Sequence, residues 1–184
     1  STSEYATFQA GSPVSILLVE RPDRLKFVFG HHVHEQMVRM LSTAPVVFTG
    51  LREPVERIRS EIRYLHMQEA SRGAPLTPPE IAAEWSRNDV CRQIIASFPT
   101  LAGHEGTMAD RAMRALSSFS FVYFEDTFEA ASDALSRHLG VPEDRTNHNV
   151  SSPSPITFDV DPLVPGEDIE LYERAREKFW RADF

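Results

Sequence analysis

The alternation of apolar and polar positions divides the chain into short apolar runs and longer amphipathic stretches. SILLVE (15–20) and LKFVFG (25–30) are apolar runs of strand length, separated by the turn RPDR. HEQMVRML (34–41) places Met37, Val38 and Leu41 at helical spacing. PVVFTGL (45–51) is almost wholly apolar, as a strand covered on both faces should be. Pro54 then suits a first helical turn, and Val55, Ile58, Ile62 and Leu65 recur on one helical face. SRGAPLTPP (71–79) is a loop. From there to about Ser118 the pattern is helical, broken at GHEGT, with no strand candidate. FSFVYF (119–124) returns to strand, and TFEAASDALSRHL forms a helix closed by Gly140. A Pro-, Asn- and Ser-rich loop (141–166) leads to the amphipathic helix EDIELYERAREKFW (167–180).

Strands alternating with helices predict one α/β domain over 1–184, with a mainly parallel β-sheet flanked by helices. The helical block, about 71–118, is expected as an insertion or lid.

Composition is that of an ordinary globular chain: 184 residues, 41% hydrophobic and 25% charged. The net charge of −8 argues against a general nucleic-acid binder, which needs a broad basic surface. Cys91 is the single cysteine, so no intrachain disulfide can form. No apolar run reaches membrane-spanning length and no signal peptide is visible, so the expectation is a cytoplasmic protein without a membrane span.

Against that acidic background, LREPVERIRSEIRY (51–64) concentrates Arg52, Arg57, Arg59 and Arg63 where an apolar strand gives way to a helix. Ligands of open α/β sheets bind outside the carboxyl ends of strands, and a helix N-terminus favours an anion. Arg52 can supply a bidentate fork and Ser60 a hydroxyl to a phosphate. The competing account is a solvated helix face, since Glu53, Glu56 and Glu61 interleave with the arginines.

The same stretch resembles the 3′-phosphate-binding motif of sulfotransferases that use 3′-phosphoadenosine-5′-phosphosulfate (PAPS), with Glu53 where that family usually has Asp. FVFGHHVHE (27–35), FVYFEDTFEAASDALSRHLGV (121–141) and NHNVSSP (147–153) followed by LYERAREKF resemble other segments of the family in the same order. The nearest flavour is the carbohydrate (Golgi-type) branch and its bacterial relatives. The resemblance implies a P-loop NTPase-like sulfotransferase fold and transfer of a sulfuryl group from PAPS to an acceptor hydroxyl, on a carbohydrate or small molecule. It implies Arg52 and Ser60 as cofactor-binding residues, 3′,5′-ADP as product, no metal and a bacterial source. The Lys-bearing loop that grips the 5′-phosphosulfate in that family has no counterpart: the two lysines are Lys26 and Lys178. The chain is therefore expected to be N-terminally incomplete, or else a degenerate, non-catalytic module that binds an anion or a partner.

Attack of a hydroxyl on sulfur needs a base, and a neutral His suits that task. His31, directly after Gly30, is the first candidate, with His32 and His34 as alternatives. Two other accounts of the HHVHE segment stand beside it. The histidines can orient a loop, or they can join Glu35 in a metal site of a metal-dependent hydrolase.

Overall fold

The structure is a computed structural model that describes residues 33–41, 45–71, 73, 77, 80, 89–140 and 164–180. The apolar runs at 15–20 and 25–30, and most of the loop at 141–166, lie outside the described residues. In chain order the elements are α1 (Glu35–Met40), β1 (Phe48–Leu51), α2 (Pro54–Ser71), α3 (Asp89–Ser97), α4 (Pro99–Ala102), α5 (Met108–Leu116), β2 (Phe121–Phe124), a 3-10 turn (Glu125–Thr127), α6 (Phe128–Leu139) and α7 (Gly166–Phe179). The protein is mixed α/β, with a two-stranded parallel sheet flanked by helices.

β1 and β2 pair in register, Phe48 opposite Phe121 and Leu51 opposite Phe124. The alternation within each strand sorts its side chains onto two faces. Leu51, Val122 and Phe124 point into the main core. On the other face the Phe48 and Phe121 rings stack at 5.0 Å. Gly50 has no side chain there because the Tyr123 ring lies across it: a Cβ at Gly50 would sit 2.5 Å from that ring. The pairing continues past the strands. Ser120 donates its backbone N–H to the Val47 carbonyl at 2.7 Å, and Val47 N–H returns to the Ser120 hydroxyl at 3.1 Å.

The main core gathers Leu51, Cys91, Ala109, Ala112, Met113, Leu116, Val122, Phe124, Leu171 and Ala175. Alanines at 109, 112 and 115 on α5 let its neighbours approach closely, and all three are fully buried. The helical block expected as an insertion lies in sequence between the two paired strands. In space α3 and α5 supply half of the central core, because their apolar faces are what cover the sheet and α7. A smaller cluster packs Ile58 and Ile62 of α2 against Val164.

Helix ends follow local chemistry. Thr107 and Asp110 form a reciprocal capping box at the start of α5, both hydrogen bonds 3.1 Å long. Gly140 closes α6 with φ of 64°, the left-handed conformation expected of it. The starts of α3 and α5 also receive carboxylates from a distant element. Asp168, in the first turn of α7, accepts from the N–H groups of Val90 (3.2 Å) and Cys91 (2.9 Å) at the start of α3. Its neighbour Glu167 accepts from Ala109 N–H of α5 at 3.0 Å. Three helix N-termini therefore converge on one Glu-Asp pair, a feature with no signal in local sequence spacing.

Candidate functional site

Parallel, in-register strands end side by side, so the residues after them must meet. Arg52 follows β1 and Glu125 follows β2. They preserve the 73-residue offset seen between Val47 and Ser120, and Arg52 Nε donates to Glu125 Oε2 at 3.1 Å. The pair is exposed, with side chains 38% and 56% accessible. Among the described residues Glu125 pairs with this guanidinium, and it engages Nε alone.

The next residue, Asp126, is held far more firmly. Arg176 of α7 grips both carboxylate oxygens, at 3.3 and 2.6 Å, and the Trp180 indole N–H donates to one of them at 3.3 Å. Arg176 also donates to the Tyr172 hydroxyl at 3.2 Å and lies over the Phe124 and Trp180 rings. Hydrogen bonding from Arg176 holds the Asp126 carboxyl below its ordinary value and raises Arg176 in turn. Behind the turn, Thr127 exchanges hydrogen bonds with the backbone of Phe124. The carboxyl edge of the sheet thus carries two arginines and two carboxylates, one pair clamped and one loose.

The start of α2 differs from the expectation that its N–H groups await an anion. Glu53 folds its own carboxylate over them, accepting from Val55 N–H at 3.2 Å and Glu56 N–H at 2.8 Å. Its carbonyl takes Arg57 N–H at 2.8 Å, and Pro54 has no N–H to satisfy. Glutamate is a weaker capping residue than aspartate in general, yet here the longer side chain reaches two donors. The positive end of the helix is already answered by a carboxylate.

Ser60 lies two turns into α2 and is half-buried. At about 100° per residue, it stands about 200° round the helix from Ile58 and from Ile62, away from their apolar cluster. The other arginines of the motif serve the helix itself. Arg57 pairs with Glu61, Arg59 with Glu56, and Arg63 donates to the Arg59 carbonyl. For Arg57, Arg59 and Arg63 the charged face is what the interleaved glutamates indicated. Arg52 belongs instead to the sheet edge.

His31 and His32 lie outside the described residues. His34 precedes α1 and accepts Met37 N–H through its carbonyl at 3.0 Å, without a side-chain cap. Glu35 is buried, accepts from Thr100 N–H at 2.9 Å and pairs with Arg39. Burial pushes its carboxyl up, but the bonds from Thr100 and Arg39 together outweigh that and hold it below its ordinary value. Glu35 is thus committed to starting α4 and to Arg39, and no cluster of metal-ligating side chains occurs among the described residues. No helix among them is long and apolar enough to cross a membrane.

Sequence reasoning missed Glu125, Asp126, Arg176 and Trp180 as parts of this edge. The Glu-Asp dipeptide directly after a strand was the available signal, but its partners are 50 and 73 residues away. Comparison with known protein families, with curated proteins and with solved structures returns no match.

Proposed function

We propose that the chain is a sulfotransferase domain of P-loop NTPase-like fold that binds PAPS and passes its sulfuryl group to an acceptor hydroxyl, on a carbohydrate or small molecule. The observation that supports this most is the position of Arg52. It stands at the carboxyl edge of a parallel sheet, immediately before a Pro-initiated helix that carries Ser60 on the side away from its apolar cluster. That is where α/β folds receive phosphorylated ligands. Because Glu53 occupies the helix N–H groups, side chains must supply the recognition. The Arg52 guanidinium would grip the 3′-phosphate as a fork that includes Nε, and Ser60 would donate to it.

In the reaction the acceptor oxygen attacks sulfur, the bond from sulfur to the 5′-phosphate oxygen breaks, and 3′,5′-ADP leaves. The acceptor proton goes to a base, for which His31 is the candidate, at a contribution of about 10²–10⁴-fold. The remaining acceleration comes from positioning and from offsetting charge.

Titration calorimetry tests the binding step. The expected result is that 3′,5′-ADP binds at least tenfold more tightly than 5′-AMP, and that Arg52→Ala removes the difference while leaving the fold intact. Equal affinity for the two nucleotides in the unaltered chain would sink the assignment. A second reading, a non-catalytic module that binds an anion or a partner, is favoured by the existing pairing of Arg52 with Glu125. Sulfuryl transfer from PAPS to an acceptor, or its absence in a chain that binds 3′,5′-ADP, separates the two.

A further inference from the structure

The geometry points to Glu125 as the resting counter-ion of Arg52, a carboxylate that an incoming phosphate must displace. This rests on the reading of Arg52 as an anion ligand and adds what that reading lacks, the state of the site before the ligand arrives.

Two consecutive carboxylates at the same edge hold their arginines in opposite ways. Asp126 is gripped through both oxygens, tied to the Trp180 indole, and its arginine is flanked by two aromatic rings. Glu125 makes a single contact to Nε, in the open, from a side chain that is 56% accessible. The Asp126 clamp fixes the backbone of the turn, so Glu125 leaves by rotating its own side chain, with no movement of β2. The Nε contact already aligns the guanidinium at the sheet edge. A phosphate, with more charge than a carboxylate and more acceptor oxygens, can take its place. The Glu53 carboxylate at the start of α2 adds to the negative charge that the ligand must meet. Glu125 is therefore a specificity-determining residue: it raises the threshold for any anion at Arg52, so that weakly charged ligands are excluded.

The side-chain Nε–H resonance of Arg52, identified by its loss in Arg52→Lys, reports the exchange directly. Inorganic phosphate, and in parallel 3′,5′-ADP and 5′-AMP, are titrated into the unaltered chain, Glu125→Gln and Glu125→Ala. Removing the carboxylate is expected to tighten phosphate and 3′,5′-ADP by about two- to fivefold, the range set by an exposed ion pair. The affinity for 5′-AMP should stay where it was. A role confined to structure would weaken binding or leave it unchanged, and either result in both variants overturns the inference. A phosphate titration that never moves the Arg52 signal overturns it too. If phosphate tightens while the unaltered chain does not distinguish the two nucleotides, the counter-ion exchange stands and the PAPS reading falls. If the nucleotides are distinguished but neither variant binds more tightly, the reverse holds.

Discussion

Among the described residues the protein carries two Glu-Asp pairs in related positions, each at the start of a helical turn, and they do different work. Glu167-Asp168 faces inward. Asp168 is 3% accessible, and the pair accepts four contacts' worth of buried polarity from α3 and α5, including the Cys91 thiol on the Glu167 carbonyl. Glu125-Asp126 faces outward at the sheet edge and holds arginine side chains. A carboxylate that satisfies buried backbone N–H groups cannot be replaced by water without unmaking the core around it. A carboxylate paired with an exposed guanidinium can trade places with water or with a ligand. The difference separates what holds this fold from what is free to bind.

The contrast breaks most visibly at Asp168. Asp168→Ala leaves the buried N–H of Cys91 and the half-buried N–H of Val90 without an acceptor and removes a helix cap, at about 2–3 kcal/mol. The melting temperature should fall by about 4–12 °C. Burial pushes the Cys91 thiol up, with Asp168 and Glu167 adding to it, so in the unaltered chain the thiol should resist alkylation until unfolding. In Asp168→Ala the alkylation rate should rise. A melting temperature within a degree of the unaltered chain would show that the inward pair is not the anchor described.

Glu53 lies between the extremes, because it caps α2 through its side chain at a half-buried position. Glu53→Ala should cost about 1 kcal/mol in urea unfolding. It should at the same time free two N–H groups beside Arg52 and tighten phosphate. Unchanged phosphate binding in that variant would show that the helix start contributes nothing to the edge.

The smallest effect belongs to the outward clamp. Asp126→Asn should cost at most about 1 kcal/mol at neutral pH, since exposed ion pairs are screened. Its sign with pH is defined. Hydrogen bonding from Arg176 keeps Asp126 below its ordinary 3.8, so the folded state is favoured by the charged carboxylate above that pH. The advantage is lost as pH falls through the depressed value. Unfolding free energies of the two chains should therefore converge below about pH 4. A gap that persists undiminished at acid pH would mean the clamp acts by packing and not by charge.

Much of the architecture was legible along the chain. The apolar run at 45–51, the run at 119–124, Pro54, Gly140 and the amphipathic stretch at 167–180 each marked an element that the structure contains. Those signals are local: side-chain alternation, a fixed φ, a missing Cβ. They located Arg52 at a strand end and the arginines of α2 among glutamates. They could not reveal that Glu53 would cap its own helix, because reach is set by rotamer and not by residue type alone.

Among the described residues, sequence by itself determined where strands and helices run and that Arg52 stands at a strand-to-helix junction, since backbone preference and apolar period are carried by neighbouring residues. Tertiary structure alone decided that β1 and β2 lie in register, bringing Arg52 to Glu125, and that α7 reaches back to clamp Asp126 and to cap α3 and α5. Those partners are 50 to 78 residues apart, and nothing in the spacing of charges along a chain records which of them the packed core will bring within hydrogen-bond distance.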